Sequence, residues 1–170
     1  MFTRAGRAAI FDRNVYTEAF FDDDAMADSA IIVALVGAAT YVGFLVRGVI
    51  PRFDLTGLIE VVLYSVVSWL ILGFATWFAA TRIFKATGRP QTLVAAQGLA
   101  VLPLLLEIFG SPVSWIGLIW YAAILVLATK QASDLPYKQA GVSVLIGFAA
   151  AFIVRLLIGA PFALLSGAFA

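Results

Sequence analysis

Long apolar runs separated by short clusters of charge, proline and glycine set the pattern of this chain. The last run, from Gln139, reads AGVSVLIGFAAAFIVRLLIGAPFALL and carries Arg155 as its only ionisable group. That length suffices for a helix crossing a hydrocarbon core of about 30 Å. Four runs of the same kind precede it. The pattern predicts membrane spans at about 29–50, 57–81, 91–109, 112–129 and 139–165. Their connections hold Arg47, Pro51, Arg52 and Asp54, then Arg82, Lys85, Gly88, Arg89 and Pro90, then the Gly-Ser-Pro turn at 110–112, then Lys130, Asp134, Pro136 and Lys138. Glycine and proline punctuate helices at such points.

Residues 1–28 form a short N-terminal cytoplasmic or interfacial segment, and 29–170 the transmembrane domain. In the first part of that segment Phe2, Ala5 and Ala9 oppose Arg4 and Arg7, a weak amphipathic pattern that Phe11 interrupts. Asp12 reads as the cap of a second short helix with Val15, Tyr16, Ala19 and Phe20 on one face. The segment either lies along the membrane surface or packs against the ends of the bundle's own helices. The predicted fold class is all-α: a polytopic five-helix transmembrane bundle with a short N-terminal amphipathic segment.

Composition agrees and removes several functions. Of 170 residues, 63% are hydrophobic and 12% charged, where a soluble domain has about a quarter charged. A net charge of +1, from 11 basic and 10 acidic residues, supplies no basic patch for nucleic acid. Cysteine and histidine are both absent, so thiolate nucleophiles, His-dependent triads and His- or Cys-ligated metals are excluded. No G-x-x-x-x-G-K-[ST] loop occurs. The reading therefore predicts no catalytic residues, no metal and no cofactor. The charged N-terminus lacks the apolar core of a secretory signal, so the first span is expected to be retained. Asp22, Asp23, Asp24 and Asp28 suit the positive end of the first span's helix dipole better than a cation site.

Charge also predicts the threading. Arg4, Arg7, Arg13, Arg82, Lys85, Arg89, Lys130 and Lys138 fall on one side of a five-span chain, against Arg47 and Arg52 on the other. Under the positive-inside rule the N-terminus is cytoplasmic and the C-terminus extracytoplasmic in the cell (inner) membrane. An arginine in the middle of a span costs about 2.5–3.5 kcal/mol on insertion scales and faces protein or a wet cavity. At 1.5 Å per residue Glu107 and Arg155 both lie roughly 24 Å from the inner side, with Glu60 about one turn higher. Arg155 is therefore expected to pair with Glu107, with Glu60 as second candidate and Gln97 completing an intramembrane polar cluster. Ala30, Ala34 and Ala38, and Ser143, Gly147, Ala151 and Gly159, form small-residue rows that let helices approach.

The short N-terminal segment with Asp12, Tyr16 and Glu18, Gln97-Gly98 and Pro103 after the Gly88 loop, and Ile119-Trp120 before Lys130-Gln131-Ala132 and Lys138-Gln139-Ala140 resemble bacterial Yip1-domain proteins. The resemblance covers nearly the whole chain and implies five membrane helices with a cytosolic N-terminus. Eukaryotic relatives are Golgi and endoplasmic-reticulum proteins linked to vesicle traffic and Rab GTPases. They carry a long cytosolic N-terminal region, so that role is not carried over. The expected function is that of a non-catalytic scaffold, assembly or accessory subunit, with membrane lipids and a membrane-protein partner or a second copy as its contacts. The alternative is a small transporter or channel subunit with a polar route near Arg155 and Glu107.

Overall fold

A computed structural model describes the backbone of residues 2–20, 22 and 24–167, and their side chains except at 2, 17, 19, 20, 155 and 158–167. The described residues form helices and their connections, with no strand among them. Two short helices, α1 (Phe2–Ala9) and α2 (Arg13–Phe20), precede α3 (Ala25–Val46), α4 (Leu55–Arg82), α5 (Pro90–Leu99), a 3-10 segment (Leu102–Phe109), α6 (Val113–Ser133) and α7 (Tyr137–Gly167). Among the described residues α3, α4, α6 and α7 are long and apolar enough to cross a membrane, and α5 with the 3-10 segment forms a bent pair that is so only when taken together. Consecutive helices α3 and α4 run antiparallel, Gly37 lying by Ser65 and Tyr41 by Asp54, whereas α3 and the third span run parallel. Ser29 of α3 lies by Ala95 of α5, while Gly43, near the other end of α3, lies by Ile108.

The third span differs from the single helix expected over 91–109. It bends by 40° between Leu99 and Leu102. Pro103 has no N–H, and its ring would meet the carbonyl four residues back, so the α-helical ladder ends there. The chain continues through tighter bonds: the N–H groups of Ala100, Val101 and Leu104 donate to the carbonyls of Gln97, Gly98 and Val101 at 3.2, 3.3 and 2.9 Å. A 3-10 helix rises about 2.0 Å per residue, so a depth for Glu107 counted at the α-helical rise does not carry through this break.

Small residues set the packing distances. A Cβ on Gly37 would lie 2.6 Å from the Ser65 hydroxyl of α4, and one on Gly98 would lie 2.6 Å from Ser29 Cβ and 2.9 Å from the Trp69 ring. Gly147, with buried Ser143 one turn earlier, admits Thr76 and Leu72 of α4. Ala30, Ala34, Ala38 and Ala151 are half-buried; position 159 lies outside the described side chains. Loop ends are pinned by side chains. Asp54 caps α4 by accepting from the N–H groups of Thr56 and Gly57 at 3.2 and 2.9 Å. The Tyr41 hydroxyl donates to the Asp54 carbonyl and accepts from its N–H, both at 2.7 Å. Gly110 turns at φ 74°, a left-handed conformation glycine adopts without steric cost.

The N-terminal segment is a helical hairpin packed on the flank of α5 and α6. Ala5, Ala8, Val15 and Tyr16 are buried there; Ala19 and Phe20 lie outside the described side chains. Asp12 accepts from the Asn14 N–H at 3.0 Å, as a cap of α2 does. Arg7 bridges Asp12 at 2.7 Å and Glu18 at 3.1 Å, and Arg4 pairs with Asp22. Arg7, then the Asn14 N–H, hold the Asp12 carboxyl below its ordinary value, and Arg4, then the Asp24 N–H, do the same for Asp22. Burial pushes the Tyr16 hydroxyl up. Asp24 stands at the N-cap of α3 without a side-chain cap bond, and Asp23 lies outside the described residues.

Candidate functional site: a cavity among the membrane helices

The chain makes its cavity through the way its helices pair. α6 packs on the 3-10 segment, α7 packs on α4, and α3 touches both α4 and the 3-10 segment. Tyr121 of α6 and Phe148 of α7 meet edge to face, ring centroids 6.2 Å apart. Beyond that contact, toward the α3–α4 loop, a half-open cavity of roughly 760 Å³ lies between the two helix pairs. Its walls are mostly apolar: Val36 and Phe44 of α3, Leu72 of α4, Leu104, Leu118, and Phe152 of α7 among them. Thr40, Ser65, Ser68, Ser114 and Glu107 add polar groups. The Ser65 hydroxyl donates back to the Val61 carbonyl at 2.8 Å, which satisfies it within its own helix.

Glu107 is the one carboxylate among the described residues of the cavity wall. Among the described residues no cation stands within ion-pair distance of it. The Arg155 side chain lies outside the described residues, so its expected pairing with Glu107 remains a proposal. Glu60 is exposed on α4 and does not line the cavity. Gln97 is fully buried elsewhere, in the last turn of α5. Its Nε2 donates to Thr129 Oγ1 of α6 at 3.3 Å, while Oε1 has no partner among the described residues. Leaving a buried acceptor unsatisfied costs about 1–3 kcal/mol. Glu107, Gln97 and Glu60 thus occupy three different environments.

The tryptophans act through their indole N–H groups as well as their bulk. Trp69 donates to the Val94 carbonyl at 2.9 Å, Trp77 to that of Gly88 at 3.0 Å, and Trp120 to that of Ala9 at 3.0 Å. Trp69 therefore ties α4 to α5, and Trp120 ties α6 to the N-terminal hairpin. Thr129 and Ser29, absent from the candidates drawn from the sequence, hold α5 from both sides, Ser29 Oγ donating to the Ala95 carbonyl at 2.7 Å. Their signal in the sequence is a hydroxyl inside an apolar run.

The described residues hold no grouping of three or more acidic side chains placed to bind a metal ion. What the cavity can do chemically is bind: it offers apolar surface, hydroxyl groups and a carboxylate that accepts hydrogen bonds or attracts a cation. No curated protein and no solved structure matches the chain. The family model described as the Yip1 domain matches residues 13–159, from α2 to well within α7. That match spans all the membrane helices and both walls of the cavity, and the chain belongs to the Yip1-domain family.

Proposed function

We propose that this chain is a non-catalytic multi-pass membrane protein acting as a scaffold or accessory subunit, and that the cavity between α6 and α7 receives an apolar segment of a membrane-protein partner. The half-open cavity of roughly 760 Å³ with mostly apolar walls carries this reading. Partner helices seat apolar side chains in such grooves at i, i+3 and i+4 spacing. In this reading the protein sits in the cell inner membrane with its N-terminus cytoplasmic, as the distribution of basic residues suggests.

The test places a photoreactive residue at Leu118, on the cavity wall, in native membranes. A discrete protein adduct is expected there. Ser68→Trp, which fills the cavity, should abolish it while leaving any adduct from the lipid-facing position Leu63 unchanged. Lipid adducts alone at Leu118, or a protein adduct indifferent to Ser68→Trp, would overturn the proposal.

Glu107 favours a second reading, a small transporter or channel subunit with its polar route along the cavity and Arg155 as the counter-charge. If the two pair, Arg155→Leu alone destabilises the protein more than Arg155→Leu with Glu107→Leu, because the single change leaves a carboxylate uncompensated. A specific flux in liposomes that Arg155→Leu abolishes would select transport over the scaffold role.

A further inference from the structure

The tip of the N-terminal hairpin combines features that a water-exposed turn does not need. α1 ends in a Schellman arrangement: the Phe11 N–H donates to the Ala8 carbonyl at 3.1 Å and the Asp12 N–H to the Arg7 carbonyl at 3.0 Å. The residue at the left-handed position of this motif is usually glycine. Here it is Phe11, at φ 64°. A bulky side chain there is a steric outlier, and it is not kept by burial within the protein, since Phe11 is 44% exposed and its neighbour Ile10 72%.

Phe11 lies against the outer face of α6, in a shallow depression with Ile116, Ile119, Trp120 and Ala123. That helix is 21 residues long, about 31 Å, and matches the hydrocarbon thickness. Trp120 stands about 20 Å from its Ser133 end. The tip therefore reaches the middle of a spanning helix, on a face where Ile116 and Ile119 are themselves 59% and 69% exposed.

Backbone groups inside a bilayer need partners within the protein, and two carbonyls beside the tip have side-chain donors. The Ala9 carbonyl accepts from Trp120 Nε1 at 3.0 Å, and the Ala8 carbonyl also accepts from the Tyr16 hydroxyl at 3.4 Å. Arg4 pairs with Asp22 and Arg7 with Asp12 and Glu18, while the exposed Arg13 reaches away from the tip to donate to the Tyr137 hydroxyl at the start of α7 at 3.4 Å.

We infer that α1 and α2 form a re-entrant hairpin that enters the bilayer from the end of the bundle where α3 begins, with Ile10 and Phe11 in contact with lipid acyl chains beside α6. Phe11 occupies a glycine position because its ring extends the lipid-facing ridge of Ile116 and Ile119. Trp120 holds the tip by its indole N–H.

The chain has no cysteine, so single-cysteine variants of the full protein need no background changes. Nitroxide labels at Ile10→Cys, Phe11→Cys, Ile119→Cys and Lys138→Cys would be compared in phosphatidylethanolamine–phosphatidylglycerol vesicles. Labels at 10 and 11 are expected to collide with oxygen and to be shielded from a water-soluble nickel chelate, as at Ile119, with chelate collision recovered at Lys138, exposed in the first turn of α7. Trp120→Phe keeps the ring and removes the N–H; it should restore chelate collision at Phe11→Cys, whereas Trp115→Phe should not. Chelate access at 10 and 11 in the unaltered background would overturn the inference in favour of a surface segment. Shielding from both oxygen and chelate would overturn it in favour of a protein interface, and no response to Trp120→Phe would overturn the role given to its N–H.

Discussion

At Gly98 of α5 both α3 and α4 approach closely, and Gly98→Ala tests whether that approach holds the bundle together. The added methyl would stand 2.6 Å from Ser29 Cβ on α3 and 2.9 Å from both Trp69 Cε2 and Nε1 on α4. Ordinary carbon contacts are about 3.5–4.0 Å, so each neighbour must retreat by about 1 Å. Overpacking of this kind costs about 1–3 kcal/mol. The retreat also strains two hydrogen bonds, Trp69 Nε1 to the Val94 carbonyl at 2.9 Å and Ser29 Oγ to the Ala95 carbonyl at 2.7 Å, each worth about 0.6 kcal/mol in a membrane bundle. Against this, alanine gains about 1 kcal/mol over glycine within a helix. A net loss of about 1–3 kcal/mol is expected. Reversible unfolding in mixed micelles, followed by tryptophan emission, measures it. Gly141→Ala is the control, because nothing lies within 4 Å of its added methyl, and it should gain up to about 1 kcal/mol. Gly98→Ala combined with Ser29→Gly should recover part of the loss. If Gly98→Ala behaves like Gly141→Ala, the close approach at this glycine is refuted.

Gln97→Leu removes an amide whose Oε1 is unpartnered among the described residues and is expected to change stability by less than about 1.5 kcal/mol in either direction; a loss above about 3 kcal/mol in the same assay would mean that the amide has a partner it cannot spare. Asp54→Ala, which deletes both cap bonds of α4, should cost about 0.5–2 kcal/mol, and Asp54→Asn should recover most of it. The hairpin should respond to acid: the folded-state value of Asp22, at its base, is depressed by Arg4, so its contribution is complete above the unfolded value of about 3.9 and is lost as pH falls through the lower folded value. Fluorescence of Trp120, quenched differently once the hairpin leaves it, should stay constant from neutral pH down to that range and change only below it; a change centred near pH 6 would contradict the assignment.

The apolar runs coincide with the long helices α3, α4, α6 and α7, because the length needed to cross a bilayer is a local property of the chain. The turns were legible for the same reason: Gly88 with Pro90, and glycine followed by Ser111 and Pro112, interrupt helices wherever they occur. Phe11 looked like a fault in the amphipathic pattern of the first segment; it is the residue that turns the hairpin. Pro103 was visible but its consequence was not, since a membrane helix can also continue past a proline when neighbouring groups satisfy the freed backbone.

Hydropathy and charge thus determined by themselves that this is a helical membrane protein, how many apolar segments it has and where they stop. Only the tertiary structure decided that α5 gives way to a 3-10 segment, that Gln97 meets Thr129 while Glu107 faces a cavity, and that the N-terminal helices fold back along α6. The physical reason lies in the solvent. In water the polar face of a helix marks which side is outside, but in lipid both the inward and the outward faces are apolar, so the sequence of each span carries little record of which neighbour it meets. That choice rests on where glycine, serine and alanine let two backbones approach, and it exists only once the helices are packed.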